Sequence, residues 1–319
     1  MKAILIDKPN LRWAEVADPV AGTGEVIVDV EATALNRADL LQRSGRYPVP
    51  EGASEILGLE MAGRISELGD GVTEWAVGDS VCALLSGGGY AERVRVPAAM
   101  LMPVPSGWNM QEAGAMPETF YTAYVNLVLE AGLQPGETVL IHGGASGVGT
   151  SAIQLAVARG CTVYATAGTD EKCRTCEQLG ATRAFNYKTI YFADALRGQT
   201  KGVDVILDPV GADYLGRNVD LLNVRGRLVL IGLLSGARAE LDLSKLLRRR
   251  LRVIGSVLRS RSLTEKIDIR DRFMAEIFPL MDAGRLRPVI DSSYPIQHAH
   301  DAHERMRHNL NIGKIGLSI

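Results

Sequence analysis

Short apolar segments separated by turn-forming residues fill the first third of the chain. Segments at residues 25–30, 61–67, 80–85 and 91–96 have the length of strands, and Gly, Pro and Asp lie between them. Apolar runs of this length that are bounded by turn residues predict β-strands. Residues 1–117 are therefore predicted to form a mostly β domain.

The pattern changes after residue 117, where strand-like and helix-like segments alternate. Strands are predicted at residues 138–142, 162–166, 203–207 and 226–231, with helices between them, as at residues 147–159 and 214–222. This alternation is typical of a parallel sheet that helices cover on both faces. Residues 118–264 are predicted to form this second domain, with residues 251–258 as its last strand.

The tail, residues 265–319, departs from the alternation again. It is predicted to hold one amphipathic helix at residues 270–283 that ends at Gly284, a second helix within residues 295–307, and a final strand at residues 314–319. We expect the tail to return to the first domain, so that residues 1–117 and 265–319 form one domain. A cleft between the two domains is the expected ligand site.

Composition and charge exclude several classes of protein. Hydrophobic residues make up 46% of the 319 residues, the net charge is −2, and the four cysteines do not suggest a disulfide scaffold. The balanced charge gives no support to a nucleic-acid or membrane-surface partner, and Arg248, Arg249 and Arg250 are predicted to lie in a solvated loop. We expect no signal peptide, because an aspartate and a proline interrupt the first apolar residues, and no apolar run reaches the roughly 20 residues that span a bilayer. A soluble cytoplasmic protein is expected.

A glycine-rich turn provides the strongest chemical signal. It follows the strand at residues 138–142 and reads Gly144-x-Ser146-x-x-Gly149, with serine at the middle position of the dinucleotide-binding pattern. Glycines at this spacing let backbone N–H groups approach a pyrophosphate at a helix N-terminus. The strand, turn, helix and second strand together predict a nicotinamide dinucleotide site.

The end of the second strand indicates which dinucleotide is bound. A site for NAD usually has an acid about 20 residues after the turn, which accepts a hydrogen bond from the ribose 2′-OH. Gly168 occupies that place, and Lys172 follows it with a charge suited to a 2′-phosphate. Asp170 and Glu171 argue the other way, but acids in a first helical turn commonly serve as caps. The sequence favours NADPH.

The whole chain closely resembles the zinc-free quinone oxidoreductases of the medium-chain dehydrogenase/reductase superfamily, the zeta-crystallin-like group. Within that group it looks most like the p53-inducible quinone oxidoreductase branch. The segments that carry the resemblance are 36–40 (NRADL), 45–48 (GRYP), 57–63 (LGLEMAG), 78–81 (GDSV), 145–149 (ASGVG), 186–187 (NY) and 311–315 (NIGKI). The resemblance implies an α/β fold, with a GroES-like β-rich catalytic domain and a Rossmann doubly wound parallel-sheet domain that binds NADPH.

The resemblance also implies roles for individual residues. Lys172 and Tyr187 match residues that hold the 2′-phosphate. Asn36 and Tyr47 match residues that face the substrate, and Thr122 matches a threonine of the nicotinamide pocket. The remaining implied cofactor contacts are Ser146, Gly147, Val148 and Gly149 at the pyrophosphate, Gly232, Leu233, Val257 and Leu258 near the nicotinamide, and Asn309.

The resemblance to zinc alcohol dehydrogenases stops at the metal ligands. Where those enzymes carry Cys-x-x-His, this chain has Asn36 through Asp39, and where they carry Gly-His-Glu it has Leu59 in place of the histidine. Zinc sites need thiolate or imidazole donors, and the four-cysteine structural lobe is also missing. The chain is predicted to work without a metal.

Other metal-like or redox-like patterns favour ordinary structural roles. Cys173-x-x-Cys176 lies in a predicted helix and lacks a second cysteine pair, so two thiols on or under a helix are expected. His298, His300, His303 and His308 belong to the tail and are interpreted as incidental histidines of a polar helix. His142 ends a strand and is expected to be a local hydrogen-bond partner.

The predicted reaction is direct hydride transfer from NADPH to a quinone, in which the protein binds and orients both partners. Tyr47 is expected to donate a hydrogen bond to a quinone oxygen, and Asn36 to orient the quinone. Two alternatives stay open: reduction of an activated C=C bond in an enal, enone or enoyl thioester, and a non-catalytic NADPH-binding protein. A homodimer through the edge strand at residues 251–258 is also predicted, because relatives pair that edge.

Overall fold

A computed structural model describes residues 1–8 and 10–319. The chain divides into two compact units, of which unit 1 comprises Met1–Tyr121 with Arg259–Ile319 and unit 2 comprises Thr122–Leu258. The predicted domain limits, after residues 117 and 264, stay a prediction. No helix among the described residues is long and apolar enough to cross a membrane.

The strands are numbered along the chain. They are β1 (Lys2–Asp7), β2 (Asn10–Glu15), β3 (Glu25–Ala34), β4 (Glu60–Leu68), β5 (Ser80–Leu84), β6 (Arg93–Pro97), β7 (Met102–Pro103), β8 (Thr138–His142), β9 (Thr162–Ala167), β10 (Arg183–Asn186), β11 (Val203–Asp208), β12 (Leu222–Leu230), β13 (Arg252–Gly255), β14 (Ile290–Pro295) and β15 (Lys314–Ser318).

The α-helices are numbered in the same way. They are α1 (Arg37–Arg43), α2 (Met110–Gly114), α3 (Pro117–Tyr124), α4 (Gly147–Ala158), α5 (Asp170–Gln178), α6 (Phe192–Arg197), α7 (Ala212–Leu221), α8 (Leu243–Arg249), α9 (Leu263–Glu276), α10 (Phe278–Asp282) and α11 (Ala299–Arg307). Short 3₁₀ turns cover Ala98–Met100 and Ile296–His298, and a π-helix, Val125–Glu130, continues α3.

Unit 1 is built on a seven-stranded sheet. The strands run in the order β14-β15-β3-β4-β5-β7, and β6 pairs with β3 at the same time. The long strand β3 is buried at most positions because it pairs with β4, β6 and β15. The C-terminal strand β15 therefore lies inside the sheet that the N-terminal segment begins, as expected for a tail that returns to the first domain.

Unit 2 is a six-stranded, wholly parallel sheet. Its strand order is β10-β9-β8-β11-β12-β13. This is the doubly wound order: successive strands are added on one side of β8 and then, from β11 onwards, on its other side. Helices between consecutive strands bury both faces of the central strands, which explains why their sequences are nearly continuous apolar runs. The predicted Rossmann-type sheet is confirmed.

One helix in the tail was predicted wrongly. Instead of one helix at residues 270–283, the chain forms α9 and α10, which meet at Ile277. The first helix starts earlier than predicted because Ser262 and Glu265 form a reciprocal capping box. Pro279 has no N–H to bond four residues back, so α9 cannot continue through it and a new helix begins with this proline in its first turn.

The prediction of a solvated loop at residues 248–250 is also wrong. Arg248 and Arg249 form the last turn of α8, and Arg250 caps it in the left-handed conformation with φ 54°. The guanidinium of Arg249 donates to the carbonyl oxygens of Val219 and Leu222, at 3.3 and 3.0 Å. Cations at a helix C-terminus are favoured by the helix dipole, so Arg248 and Arg249 stabilise α8.

Candidate functional site

The glycine-rich turn in unit 2 joins β8 to α4. Gly143 has φ 64°, a backbone conformation that glycine adopts without strain. Ser146 then caps α4, and its Oγ accepts a hydrogen bond from the N–H of Gly149 at 3.0 Å. The helix that follows is 12 residues long, so its N-terminus presents aligned N–H groups and a positive dipole end.

Close packing explains why glycines occupy this turn. A Cβ at Gly149 would lie 2.3 Å from the carbonyl oxygen of Gly143, and a Cβ at Gly144 would lie 2.8 Å from the Cys176 Sγ. The turn can therefore keep this tight conformation only because both side chains are absent. This turn fits the pyrophosphate of a dinucleotide, and the buried Cys176 serves as packing beneath it.

The end of β9 carries the residues that were predicted to choose between NAD and NADP. Gly168 lies under the Tyr187 ring, since a Cβ there would be 2.8 Å from the Tyr187 Oη. Thr169 is the N-cap of α5 and accepts from the N–H of Lys172 at 3.2 Å. Asp170 is not the cap; its carboxylate accepts from the Asn186 Nδ2 at 2.7 Å. The acid nearest the strand end is thereby bonded to the last residue of β10.

The other predicted contacts in unit 2 follow the carboxyl ends of neighbouring strands. Gly232 and Leu233 come after β12, and Val257 and Leu258 come after β13. Leu233 and Val257 are each 53% exposed, while Leu258 is buried. Strand ends of a doubly wound sheet are where such folds bind ligands, so the exposed apolar side chains have the character of a binding surface.

Thr122 lies in α3, one turn before the π-helix. Its carbonyl oxygen accepts from the Nδ2 of buried Asn126 at 2.7 Å. A π-helix is rare and often marks a functional segment. The bond fixes the backbone around Thr122.

A buried polar network surrounds His142, the last residue of β8. The His142 Nε2 is 2.8 Å from the Asn218 Oδ1, and its Nδ1 is 3.0 Å from the Thr166 Oγ1. The Asn218 Nδ2 in turn donates to Asp208 at 2.9 Å. Burial lowers the pKa of His142 to about 4, so the imidazole is neutral at physiological pH. His142 is a hydrogen-bond partner in this network.

Unit 1 holds a second buried polar group, centred on the Glu60 carboxylate. Its Oε1 accepts from the Lys314 Nζ at 2.6 Å and from the Asn36 Nδ2 at 2.8 Å, and its Oε2 accepts from the Glu118 N–H at 2.9 Å. The Lys314 ammonium also donates to the Asn36 Oδ1 and to the Leu35 carbonyl oxygen, both at 2.6 Å. Glu60 and Lys314 are fully or almost fully buried. The predicted substrate residue Asn36 is thus fixed by a buried ion pair.

Asp39, at the fourth place of the Asn36-Arg37-Ala38-Asp39 segment, is completely buried beside this pair. It accepts from the N–H groups of Asn36 and Gly58, at 2.7 and 3.1 Å. Desolvation raises its pKa to about 6, although those hydrogen bonds oppose the rise. The Tyr90 hydroxyl lies between Asp39 and the buried His303, at 3.4 and 3.3 Å. His303 is therefore part of the core and not an incidental surface histidine.

Tyr47, the other predicted substrate residue, packs beside charged groups. The Arg259 Cζ lies 5.3 Å from the centroid of the Tyr47 ring. Burial raises the pKa of Tyr47, and Glu118 adds to the rise, so the phenol is protonated and able to donate at neutral pH. Burial also raises the pKa of the half-buried Glu118 to about 8.

Asn309 belongs to unit 1, whereas the other predicted cofactor contacts belong to unit 2. It has φ 54°, and its Oδ1 accepts from the Arg37 Nη2 at 2.6 Å. Asparagine tolerates the left-handed conformation better than most residues. Its contact with the cofactor stays a prediction.

Sequence reasoning did not identify Glu60, Lys314, Arg259 and Glu118 as site residues. Glu60 and Lys314 lie within segments whose resemblance to a family is clear, but their contact joins residues 254 positions apart. A lysine and a glutamate in apolar stretches were the available signal, because such residues are seldom buried without a partner. The described residues contain no grouping of three or more His, Cys, Asp or Glu that could hold a metal ion.

Comparison with known proteins identifies both units. The family model described as alcohol dehydrogenase GroES-like domain matches residues 22–106, and the one described as zinc-binding dehydrogenase matches residues 147–272. The human synaptic vesicle membrane protein VAT-1 homolog is 31% identical over 98% of this chain and 83% of its own length. The mouse quinone oxidoreductase is 31% identical over 96% of this chain and 92% of its own. The chain belongs to the medium-chain dehydrogenase/reductase superfamily.

Solved structures of superfamily members agree with this assignment. The Escherichia coli quinone oxidoreductase complexed with NADPH has a TM-score of 0.89 at 28% identity, and the Thermus thermophilus quinone oxidoreductase, also solved with NADPH, has 0.84 at 32%; each covers all of both chains. The CurK enoyl reductase has 0.86 at 27% identity and covers 99% of this chain and 98% of its own. As a superfamily member with these neighbours, the chain is an oxidoreductase with a GroES-like and a Rossmann-like domain, which confirms the predicted fold class.

Proposed function

We propose that the protein is an NADPH-dependent quinone oxidoreductase of the zinc-free group. The observation that carries the proposal is the end of β9, where Tyr187 and Lys188 lie against Gly168 and Lys172 follows in the first turn of α5. The nearest acid, Asp170, is bonded to Asn186. Positive charge at this strand end, with the nearest carboxylate already engaged, suits the 2′-phosphate of NADPH. Similarity to two quinone oxidoreductases solved with NADPH supports the same function. Membership of the p53-inducible branch stays a prediction.

The proposed reaction converts NADPH, a quinone and a proton into NADP⁺ and a hydroquinone. The bound nicotinamide supplies the hydride. Unit 2 holds the cofactor by the turn at Ser146–Gly149 and by Lys172 and Tyr187. Tyr47 donates a hydrogen bond to a quinone oxygen, and Asn36, fixed by Glu60 and Lys314, orients the ring. Water supplies the proton.

A second candidate is the reduction of a conjugated C=C bond in an enal, enone or enoyl thioester. The similarity to the CurK enoyl reductase favours it, because that enzyme has nearly the same fold over its whole chain. Both candidates need a bound nicotinamide and an acceptor that develops negative charge on oxygen. They differ in the acceptor, so turnover of defined acceptors separates them. A binding protein without catalytic activity is the third alternative.

The experiment follows oxidation of NADPH or NADH with 1,2-naphthoquinone, 1,4-benzoquinone, an enone or crotonyl-CoA. We expect quinone-dependent turnover that is faster with NADPH, and a Lys172→Ala variant that loses roughly tenfold in its preference for NADPH, since one charge contact to a phosphate contributes about 1.5 kcal/mol. Lys201→Ala, which removes an exposed charge before β11, is the control. Turnover only with the enone or thioester would support the second candidate, and tight NADPH binding without turnover the third.

Catalysis without a metal is part of the proposal. Asn36 and Leu59 replace a thiolate and an imidazole of the zinc enzymes, and the Lys314 ammonium lies 2.6 Å from the Glu60 carboxylate, where it would repel a second cation. We expect purified enzyme to contain no stoichiometric zinc by elemental analysis and to keep its activity after dialysis against a chelator. Loss of activity that zinc restores would contradict this.

We also propose a homodimer and a cytoplasmic location. The edge strand β13 has three exposed residues, Arg252, Val253 and Gly255, and among the described strands only β12 pairs with it. Natural proteins rarely leave such an edge open, and pairing it with a second copy covers it. Light scattering at micromolar concentration should give twice the mass of the chain, and Val253→Lys should reduce it to one.

A further inference from the structure

Arg259 is held rigidly in unit 1 by contacts to its Nε and to its backbone. Its Nε donates to the Ser86 carbonyl oxygen at 2.9 Å, and its own carbonyl oxygen accepts from the Lys266 Nζ at 2.7 Å. The same ammonium donates to the Ser86 Oγ at 2.8 Å. Arg259 and Lys266 are 6% and 8% exposed. Arg259 and Lys266 therefore both donate hydrogen bonds to Ser86, and these bonds fix the direction of the Arg259 guanidinium.

The two terminal nitrogens of this guanidinium lack partners. Both Nη1 and Nη2 are buried and make no hydrogen bond to any described residue. An arginine is always protonated, so these atoms carry four N–H donors. Most buried donors in folded proteins are paired, and one that is not paired calls for an explanation. A purely structural arginine would direct this fork at a carboxylate or at carbonyl oxygens.

The surroundings indicate what the donors bind. The Tyr47 ring lies beside the guanidinium, with 5.3 Å between the ring centroid and the Arg259 Cζ. Glu118 is close enough to influence both groups electrostatically, yet it makes no ion pair with Arg259. The unpaired fork thus adjoins the side chain that is proposed to contact the quinone. A planar fork suits an oxygen that carries negative charge.

We propose that the Nη1 and Nη2 groups of Arg259 bind the acceptor oxygen on which negative charge develops during hydride transfer. This inference rests on the proposed function. As the C–H bond of the reduced nicotinamide breaks, its electron pair enters the acceptor and the charge collects on that oxygen, which then takes a proton from water. Donors already fixed in a buried site stabilise such charge strongly, because they need no reorganisation during the reaction. Tyr47 donates from the adjoining position.

The test uses Arg259→Met, which keeps an apolar stem of similar length, and Arg259→Lys, which keeps the charge without the fork. Arg46→Met is the matched control, because Arg46 precedes Tyr47 in the chain but is exposed. For each protein we would measure kcat/KM for 1,2-naphthoquinone, the KM for NADPH and Tm. Binding of the 2-hydroxy-1,4-naphthoquinone anion in the presence of NADP⁺ would be followed by protein fluorescence.

We expect Arg259→Met to lower kcat/KM for the quinone by about 100-fold, as the loss of one donor to a developing oxyanion typically does. The anion should bind at least tenfold more weakly, while the KM for NADPH stays within about twofold of wild type. The Tm should change little, because the substitution loses the Nε bond to the Ser86 carbonyl oxygen but also removes buried donors that lack partners. Arg259→Lys should recover part of the anion binding but little of kcat/KM. Arg46→Met should behave like wild type.

Unchanged kcat/KM and unchanged anion binding in Arg259→Met would overturn the inference. So would a fall in kcat/KM that is matched by a lower Tm and a higher KM for NADPH, since a structural arginine predicts that pattern. Absence of quinone turnover in the wild type would refute the proposed function. Anion binding that depends on Arg259 would then still support the oxygen-binding role, and anion binding that does not would refute both.

Discussion

The buried Glu60–Lys314 pair allows a sharp test of how unit 1 holds Asn36. Glu60→Gln preserves the shape of the side chain but leaves one acceptor oxygen for three donors, namely the Lys314 Nζ, the Asn36 Nδ2 and the Glu118 N–H. The new amide NH₂ would also face donors. Removing one partner of a buried ion pair leaves an uncompensated charge and costs about 3–5 kcal/mol.

The magnitude follows from the size of the folded unit. At about 2–4 °C per kcal/mol for a domain of this size, the loss corresponds to a Tm lower by roughly 6–20 °C. Lys314→Met should cost a similar amount, because it leaves the Glu60 carboxylate buried without its counter-ion. The double variant removes both charges, so it should be more stable than the sum of the single changes predicts, by about 1–3 kcal/mol.

The assay is thermal and urea unfolding of the four proteins of this cycle at neutral pH. Glu31→Gln is the control, because Glu31 forms an ion pair with Arg64 at 3.0 Å in the same sheet and both partners are about half exposed. An exposed pair of this kind contributes about 0.2–1 kcal/mol. The reasoning is refuted if Glu60→Gln is no more costly than Glu31→Gln, or if the effects of the single changes simply add.

Two further predictions concern unit 2. Gly149→Ala should weaken NADPH binding at least tenfold in a fluorescence titration, because its Cβ would lie 2.3 Å from the Gly143 carbonyl oxygen. The control is Gly216→Ala, which should bind NADPH normally because the new Cβ would have open space around it. Burial lowers the pKa of His142 to about 4. The stability from keeping this imidazole neutral is present above pH 6.5 and lost as the pH falls towards 4, so wild type should lose about 3 kcal/mol more than His142→Gln over that range. Equal losses in both proteins, measured by urea unfolding, would contradict the second prediction.

The Rossmann sheet was predictable because its signals are local. Strand β8 has the predicted bounds, since a short apolar run meets a glycine turn directly. The start of α9 was missed although the sequence contains its signal, the Ser262-x-x-Glu265 capping box. The helical period of residues 270–283 continues past Pro279, so periodicity alone did not reveal the break.

The cofactor residues of unit 2 and the polar residues of unit 1 also differ in how local their sequence signals are. The glycine turn and Lys172 lie within one short stretch of sequence, and a known spacing relates them. The polar groups of unit 1 come together only in the folded chain: Arg259 bonds a serine 173 positions away, and Lys314 a glutamate 254 positions away. No rule of spacing connects such residues, so their partners could be found only from the three-dimensional structure.

The position of Lys314 on the last strand has a consequence for biosynthesis. Residues 122–258 are continuous and can fold as they leave the ribosome, whereas the sheet of unit 1 lacks β15 until residues 314–318 are made. At about 5–20 residues per second, the nascent chain carries an unpaired β3 edge and an uncompensated Glu60 for roughly 10–50 seconds after β4 has been made. Completion of unit 1, and with it the placement of Asn36, therefore waits until Lys314 has been made, and the unpaired edge is the segment that a chaperone would shield.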